Sequence, residues 1–415
     1  MQKEIYAVLR KYWGYDSFRE QQKEIIESVL SNNDTLGLLP TGGGKSLTFQ
    51  VPTMVLPGMT IVITPLISLM KDQVDNLRNR QIKAIYIHSG LKYADIRNAI
   101  DKCIYGNYKF LYISPERVAS ERFLESLRHM KVSLIAVDEA HCISQWGYDF
   151  RPSYLKIAKI RELFPDVPVL ALTATATPVV VNDIMEKLNF RTQNVFKKSF
   201  SRTNLSYIVR HVDNKMEKLV NILKQSNGSG IVYVRSRKKT KLVAEELQHF
   251  DISADFYHAG IVNEEKQEKQ DKWKKGETRI MVATNAFGMG IDKPDVRTVV
   301  HLDVPNSLEE YYQEAGRAGR DNKKSYAVML ANNRDKGLLK KRIAETFPPV
   351  DFIKEVYVRL CNFLDIGLGG GFDKLFEFNF SLFCETFKYP PTVTHNALKI
   401  LSQSEYIEYI EEVEI

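Results

Sequence analysis

Short runs rich in Val, Ile, Leu and Tyr recur along the chain, separated by longer stretches with helical spacing. Candidate strands fall at residues 35–39, 60–64, 84–88, 110–114, 134–138 and 169–173. A second series follows at 230–234, 254–258, 280–283, 299–302 and 326–330. Most runs are continuously apolar rather than alternating, the mark of parallel strands covered on both faces. Strands alternating with helices predict right-handed βαβ units. The two series predict two α/β lobes, residues 1–200 and 201–335, joined at a short polar hinge, Phe200-Ser201-Arg202-Thr203-Asn204.

The pattern changes after Asp335. Ile353, Val356, Tyr357, Leu360, Phe363 and Leu364 have helical spacing, ended by Gly367 and Gly369-Gly370-Gly371. A further helix, Pro390-Pro391, a helix at 394–404 and a strand-like Tyr406-Ile407-Glu408-Tyr409-Ile410 follow. Helices followed by a strand suggest a winged-helix-like accessory region over 336–415. It ends on Val413-Glu414-Ile415 with no polar tail, so a truncation inside or just after that region is expected.

Two segments carry phosphate chemistry. Pro40-Thr41-Gly42-Gly43-Gly44-Lys45-Ser46 follows a predicted strand and opens a predicted helix. Glycines let backbone N–H groups turn toward phosphate oxygens. Lys45 adds a cation at the β/γ end, and Ser46 offers a hydroxyl to Mg²⁺. Leu39 stands where the full P-loop pattern has its first glycine, so the match is to the shorter core. The second segment is Leu134-Ile135-Ala136-Val137-Asp138-Glu139-Ala140-His141. An apolar strand delivers Asp138 at its C-terminal end, where parallel sheets bind ligands. Asp138 is expected to hold Mg²⁺ and Glu139 to polarise the attacking water. Adjacent carboxylates at a buried strand end are costly unless a metal offsets them. Together the segments predict Mg-dependent nucleoside triphosphate hydrolysis.

Composition narrows the picture little. A formal net charge of +7 permits a nucleic-acid partner without demanding one. The most apolar stretch, 54–70, is broken by Pro57, Gly58 and Pro65 and is too short to span a bilayer. Cys103, Cys142, Cys361 and Cys384 show no paired spacing, which predicts a reduced, cytoplasmic setting without a disulfide framework.

At these motifs the chain resembles the RecQ family of superfamily-two helicases over about residues 1–335. The resemblance implies two RecA-like lobes in tandem, with ATP and Mg²⁺ between them. Phe18-Arg19 and Gln22, preceded by Tyr15, resemble the family's adenine-reading motif, with Gln21 in place of the usual small residue. Tyr15 would stack on the base, Gln22 read its edge and Arg19 support the pocket. Pro65-Leu66-Ile67-Ser68-Leu69-Met70-Lys71-Asp72-Gln73 resembles motif Ia, which implies that Ser68 and Lys71 face a DNA backbone. Cys142-Ile143-Ser144-Gln145-Trp146-Gly147-Tyr148-Asp149-Phe150-Arg151-Pro152 resembles the aromatic-rich loop that distinguishes RecQ enzymes. Trp146 and Phe150 offer stacking faces and Arg151 a phosphate contact. Thr173 and Thr175 resemble motif III. Arg235, His258 and Thr284 sit at predicted strand ends of the second lobe, Thr284 opening a motif V that continues through Phe287-Gly288-Met289-Gly290-Ile291-Asp292. Gln313-Glu314-Ala315-Gly316-Arg317-Ala318-Gly319-Arg320 resembles motif VI. The three-residue spacing predicts Arg317 and Arg320 on one helix face, aimed at the γ-phosphate.

The family commonly carries a four-cysteine zinc module after the second lobe. Here Cys361 and Cys384 read as buried helix positions, with His395 eleven residues beyond Cys384, so zinc is not expected. Lys336, Lys340, Lys341 and Arg342 form a basic run, and Glu405 to Glu414 make the end acidic. The implied function is an ATP-dependent DNA helicase of the repair or recombination type, moving 3′ to 5′ on single-stranded and tailed duplex DNA, with no membrane partner. The alternatives are an RNA-dependent ATPase on the same scaffold and a non-catalytic DNA clamp.

Overall fold

The computed structural model describes residues 2–410 except Ser89, Gly147, Tyr148, Phe200, residues 288–292 and Leu368, and leaves aside the side chains of Ser68 and Asn263. The chain divides into two compact units, Met1–Leu330 and Ala331–Ile415.

The first unit carries two sheets. Among the described residues, one has seven strands: β1 (Thr35–Leu38), β2 (Met59–Ile63), β3 (Ala84–Ile87), β4 (Phe110–Ile113), β5 (Val132–Val137), β6 (Val169–Thr173) and β7 (Asn194–Lys197). Their spatial order is β3-β4-β2-β5-β6-β1-β7, all parallel. The other has six: β8 (Leu205–His211), β9 (Ser229–Tyr233), β10 (Ala254–Tyr257), β11 (Ile280–Ala283), β12 (Val296–His301) and β13 (Ser325–Ala331), in the order β10-β11-β9-β12-β13-β8.

Continuous apolar runs in the sequence become strands buried on both faces. Alternate residues feed separate cores. Leu36, Ile61, Ile63, Leu111, Ile113, Ile135 and Val137 enter one cluster. Val62, Phe110, Tyr112, Leu134, Ala136, Leu170 and Leu172 enter the other. The second sheet repeats this, with Val232, Val282 and Val300 on one face and Ile231, Met281 and Val299 on the other. Period-two alternation with both faces covered is the reason apolar residues dominate both faces of these strands.

Two strands escape the sequence pattern. β7 and β8 show alternating exposure, and each lies at a sheet edge. The polar hinge between them is not a solvated linker. Arg202 donates to the carbonyls of Gly316 (2.9 Å) and Gly319 (2.5 Å), and Asn204 to those of Gly319 (2.8 Å) and Lys323 (3.0 Å). Phe200 lies outside the described residues.

Asp34, fully buried just before β1, ties the base of the first sheet. It accepts from the Val169 N–H (2.9 Å), Arg161 Nη2 (3.0 Å) and Arg191 Nε (3.1 Å). Asp34→Ala leaves two guanidinium groups without their buried anion. It should lower unfolding free energy by about 3–5 kcal/mol. Chemical denaturation checks this, as a lower midpoint at unchanged slope. A loss below about 1 kcal/mol, the value of a surface pair, would contradict it.

The second unit is helical: Asn333–Thr346, Val350–Phe363, Phe380–Phe387 and Pro391–Gln403. Asn332 and Asp335 form a capping box that opens the first helix. Val356, Leu360, Phe383, Ala397, Leu398 and Leu401 make the core. Cys361 and Cys384 lie on different helices. Lys336, Lys340 and Lys341 are exposed, and Arg342 is partly buried. Residues 407–410 are not a strand. Ile407 and Tyr409 pack on the helical core instead, because a single extended segment without a partner strand has no ladder to join. The winged-helix expectation therefore loses its strand, and residues 411–415 lie outside the described part. Among the described residues, no helix is long and apolar enough to cross a membrane.

Candidate nucleotide and nucleic-acid site

The phosphate loop follows β1, and the helix Leu47–Val55 follows the loop. Gly42 has φ +78°, a conformation that favours glycine. A Cβ added there would stand 3.1 Å from Arg320 Cγ, so an arginine of the second lobe lies against the loop. Thr41, Gly43, Gly44, Lys45 and Ser46 are partly buried. Ser46 Oγ accepts from Gln73 Nε2 at 3.0 Å. Arg19 Nη1 donates to the Gly42 carbonyl (2.7 Å), and Gln22 Nε2 to that of Gly44 (2.9 Å). Gln22 is buried and its Oε1 accepts from the Arg19 N–H at 2.8 Å. Tyr15 is 54% exposed, with its ring available as a stacking face. The residues expected to read a base therefore also brace the loop that would hold its phosphates.

β5 ends one residue before Asp138, whose N–H donates to the Ile63 carbonyl at 2.9 Å. Asp138 Oδ1 accepts from the Glu139 N–H (2.9 Å), and the Tyr154 hydroxyl donates to the Asp138 carbonyl (3.0 Å). Glu139 has φ +49°, left-handed backbone at a non-glycine position. Such geometry persists only where surroundings enforce it. It turns the carboxylate toward Lys45, 3.8 Å away, and His141, 3.5 Å away. Burial and the Glu139 charge push Asp138 up to about 6, against the pull of Lys45. Burial also works against Glu139, but Lys45, His141, Arg317 and Arg151 outweigh it and hold that carboxyl low. Two adjacent carboxyls are thus driven apart, one toward a proton or cation and one toward the ionised form.

The second lobe brings Arg317 and Arg320. The helix Leu308–Ala315 stops before either, with Gly316 as its C-cap. Both arginines lie in the turn that follows, not on one helix face as their spacing predicted. Gly319, at φ +64°, closes that turn in a conformation that favours glycine, and a Cβ there would meet Asn204 Nδ2 at 2.6 Å. Arg317 is buried, reaches the Tyr233 hydroxyl, and its charge is felt at Glu139.

The aromatic loop leaves the carboxylate strand at Cys142 and returns at Arg151, whose N–H donates to the Cys142 carbonyl at 2.8 Å. Trp146 is 75% exposed and Phe150 partly buried. Arg151 pairs with Asp149 at 3.1 Å and donates to the Pro65 carbonyl at 3.4 Å, which links this loop to the one before Ser68. Lys71 is exposed. Gly147, Tyr148, Gly288, Met289, Gly290, Ile291 and Asp292 lie outside the described residues, as does the side chain of Ser68.

Of the other residues expected to contact or couple to a strand, Thr173, Thr284 and Gln313 are buried. Thr173 Oγ1 is 2.8 Å from His141 Nδ1, and the Thr175 N–H donates to Thr173 Oγ1 at 3.3 Å. Arg235 makes a two-pronged pair with Glu310 (2.5 and 2.8 Å). His258 stacks on Phe256 at 5.9 Å, and burial and Arg237 lower its pKa.

Sequence reasoning missed three participants. Gln73 reaches Ser46, Arg202 grips the turn that carries the arginines, and Tyr154 holds the Asp138 backbone. Each lies far along the chain from its partner, and no local pattern signals the contact.

The DEAD/DEAH box helicase family model matches residues 19–184, and the helicase conserved C-terminal domain matches 214–322. β1 to β6, β9 to β12 and the arginine turn fall within these spans, which define a superfamily-two helicase motor. The chain is 43% identical to ATP-dependent DNA helicase RecQ of Pasteurella multocida over 339 residues, covering 81% of this chain and 54% of that protein. It is 44% identical to the Bacillus subtilis protein of the same name over 333 residues, covering 79% and 56%. This chain belongs to the RecQ family. It spans about half the length of these relatives. A solved structure of Mycobacterium smegmatis helicase Lhr, bound to single-stranded DNA and AMP-PNP, shares the fold, with a TM-score of 0.65 and 22% identity over 78% of this chain and 47% of that one.

Proposed function

We propose that this chain is an ATP-dependent DNA helicase that moves 3′ to 5′ on single-stranded DNA and acts inside the cell on tailed duplexes. We read residues 1–200 and 201–335 as its two motor lobes and 336–415 as an accessory region. The observation that carries the reading is the meeting of Lys45, Glu139 and two second-lobe arginines at one phosphate loop, directly behind a loop that exposes Trp146. A non-catalytic clamp has no use for that set.

Mg²⁺ fits the donor set. Glu139 Oε2 is buried without a hydrogen-bond partner, and burial beside Glu139 has raised Asp138. Ser46 and Asp138 would hold the ion, which neutralises charge on the β- and γ-phosphates. Lys45 binds the phosphates, and the loop N–H groups orient them. Glu139, held ionised, takes a proton from the attacking water. Arg317 and Arg320 face the charge that develops on the transferred phosphoryl group. Tyr15, Arg19 and Gln22 hold the base. Thr173 and Thr175 relay movement from the carboxylate strand, while Lys71, Phe150 and Arg151 meet the DNA with Trp146. The deciding experiment measures ATPase and unwinding together on 3′-tailed and 5′-tailed duplexes, with matched RNA oligomers alongside. Stimulation by RNA alone, or unwinding only from the 5′ tail, would overturn the reading.

Trp146→Ala tests the coupling. Loss of one stacked base costs about 1–3 kcal/mol of binding, which saturating DNA overcomes. A coupling role predicts that the rate stays low at saturation while basal hydrolysis is unchanged. ATPase rate against single-stranded DNA concentration, with affinity measured separately, distinguishes the two. Recovery of the parent's maximal rate would reduce Trp146 to a binding platform.

A further inference from the structure

Beside the carboxylate pair, three side chains form a second group of ligand atoms. His141, Cys142 and Asp149 each offer one ligand atom, and these three atoms all lie within 4.8 Å of one another. Among the described residues this is the group of His, Cys, Asp and Glu spaced to hold a metal ion. Cys142 Sγ is 3.7 Å from His141 Nε2 and 3.8 Å from Asp149 Oδ2. Ligands about 2.0–2.3 Å from a tetrahedral zinc ion stand roughly 3.3–3.6 Å from each other. The sulfur is therefore within a few tenths of an ångström of that spacing from both neighbours.

The ring of His141 is set for the task. Its Nδ1 is 2.8 Å from Thr173 Oγ1, which leaves Nε2 toward the thiol. A hydrogen bond on one ring nitrogen with a metal on the other is how ligating histidines are oriented. Cys142 and His141 are enclosed, while the Asp149 side chain is 32% exposed and opens the group to solvent.

We propose that His141, Cys142 and Asp149 form a site for a borderline-soft divalent metal ion of the zinc type, and that its occupancy brakes the coupling of DNA binding to hydrolysis. Cys142 gives up its thiol proton to solvent as the sulfur–metal bond forms. One thiolate, one carboxylate and one neutral imidazole then balance the dication in an enclosed space, with a water completing four positions. Sulfur and nitrogen ligands select against Mg²⁺, which takes oxygen. The Mg²⁺ that accompanies ATP therefore does not fill the site.

The brake follows from which segments the ligands join. His141 and Cys142 sit on the short turn Ala140–Ile143 directly after Glu139. Asp149 belongs to the aromatic loop, three residues past Trp146. The ion fastens loop to turn. It also competes with Arg151, whose Nε and Nη2 both donate to Asp149 Oδ2, at 3.3 and 3.1 Å. The loop then loses the movement by which DNA would reach Glu139. The brake rests on the helicase reading; the metal site itself does not.

The test uses the metal-stripped 415-residue chain in Mg²⁺ buffer, with Co²⁺ as the spectroscopic probe. One equivalent should produce a sulfur-to-cobalt charge-transfer band, which Zn²⁺ then erases. Cys142→Ser should lose the band, and Asp149→Asn should weaken cobalt binding at least about tenfold. Zn²⁺ should lower the ATPase rate at saturating DNA, with half-inhibition shifted at least about tenfold upward in Cys142→Ser. A folded parent without the band overturns the site, as does a band that persists in Cys142→Ser. Equal zinc inhibition of parent and variant overturns the brake. If Cys142→Ser fails to melt cooperatively, Asp149→Asn at the open rim carries the comparison. If DNA does not stimulate hydrolysis at all, the helicase reading fails, and the cobalt band alone decides the site.

Discussion

Glu139→Gln should bind ATP as the parent does and hydrolyse it about 10²–10⁴-fold more slowly, the usual value of a positioned general base. The side chain keeps its shape, so the left-handed turn at φ +49° and the contact with Lys45 remain sterically satisfied. What disappears is the capacity to accept a proton. In the parent, Lys45, His141, Arg317 and Arg151 keep this carboxyl ionised despite its burial. An amide has no such state to favour. Nucleotide binding followed by fluorescence, single-turnover hydrolysis and a melting curve on the same preparation separate the effects. Hydrolysis within about tenfold of the parent, a barrier change of only about 1.4 kcal/mol, would remove Glu139 from the chemistry.

Arg317→Ala and Arg320→Ala should each lower turnover by about 10³-fold or more, the scale of a lost transition-state arginine. Their pH profiles should differ. Arg317 is one of the cations that hold Glu139 low, whereas Arg320 lies with its stem over Gly42. Removing a cation raises the pKa of a neighbouring carboxylate. The base must be ionised to work, so the acid limb of the rate profile should move to higher pH in Arg317→Ala and stay in place in Arg320→Ala. Lysine at either position restores charge without the planar fork and should recover only part of the rate. Identical acid limbs in both alanine variants would break the link between Arg317 and Glu139.

The parts of this fold legible in sequence were those with a local cause. Doubly buried strands read as unbroken apolar runs, and the phosphate loop and carboxylate pair follow such runs directly. β7 and β8 were not legible, because edge strands keep one face polar and blend into loop composition. The end of the helix at Ala315 was hidden for another reason. The motif spacing suits a helix, yet Gly316 and Gly319 permit a turn that distant contacts with Arg202, Asn204 and Val296 hold. In the site, residue types were readable but their partners were not. Gln22 bracing Gly44, Arg235 engaged by Glu310, and the approach of Asp149 to Cys142 all depend on tertiary neighbours. The strand expected at 406–410 failed because an extended pattern says nothing about whether a partner strand exists.

The grip of Arg202 and Asn204 on the Gly316–Lys323 turn ties the connection after β7 to the part of the chain that carries the arginines. A connection bonded to one lobe belongs mechanically to that lobe. In the motor reading, the segment that begins at Arg202 therefore moves with the arginine turn. Any rotation of the second lobe carries Arg202, Arg317 and Arg320 as one piece. A rotation of that piece would translate directly into displacement of the two guanidinium groups relative to the phosphate loop.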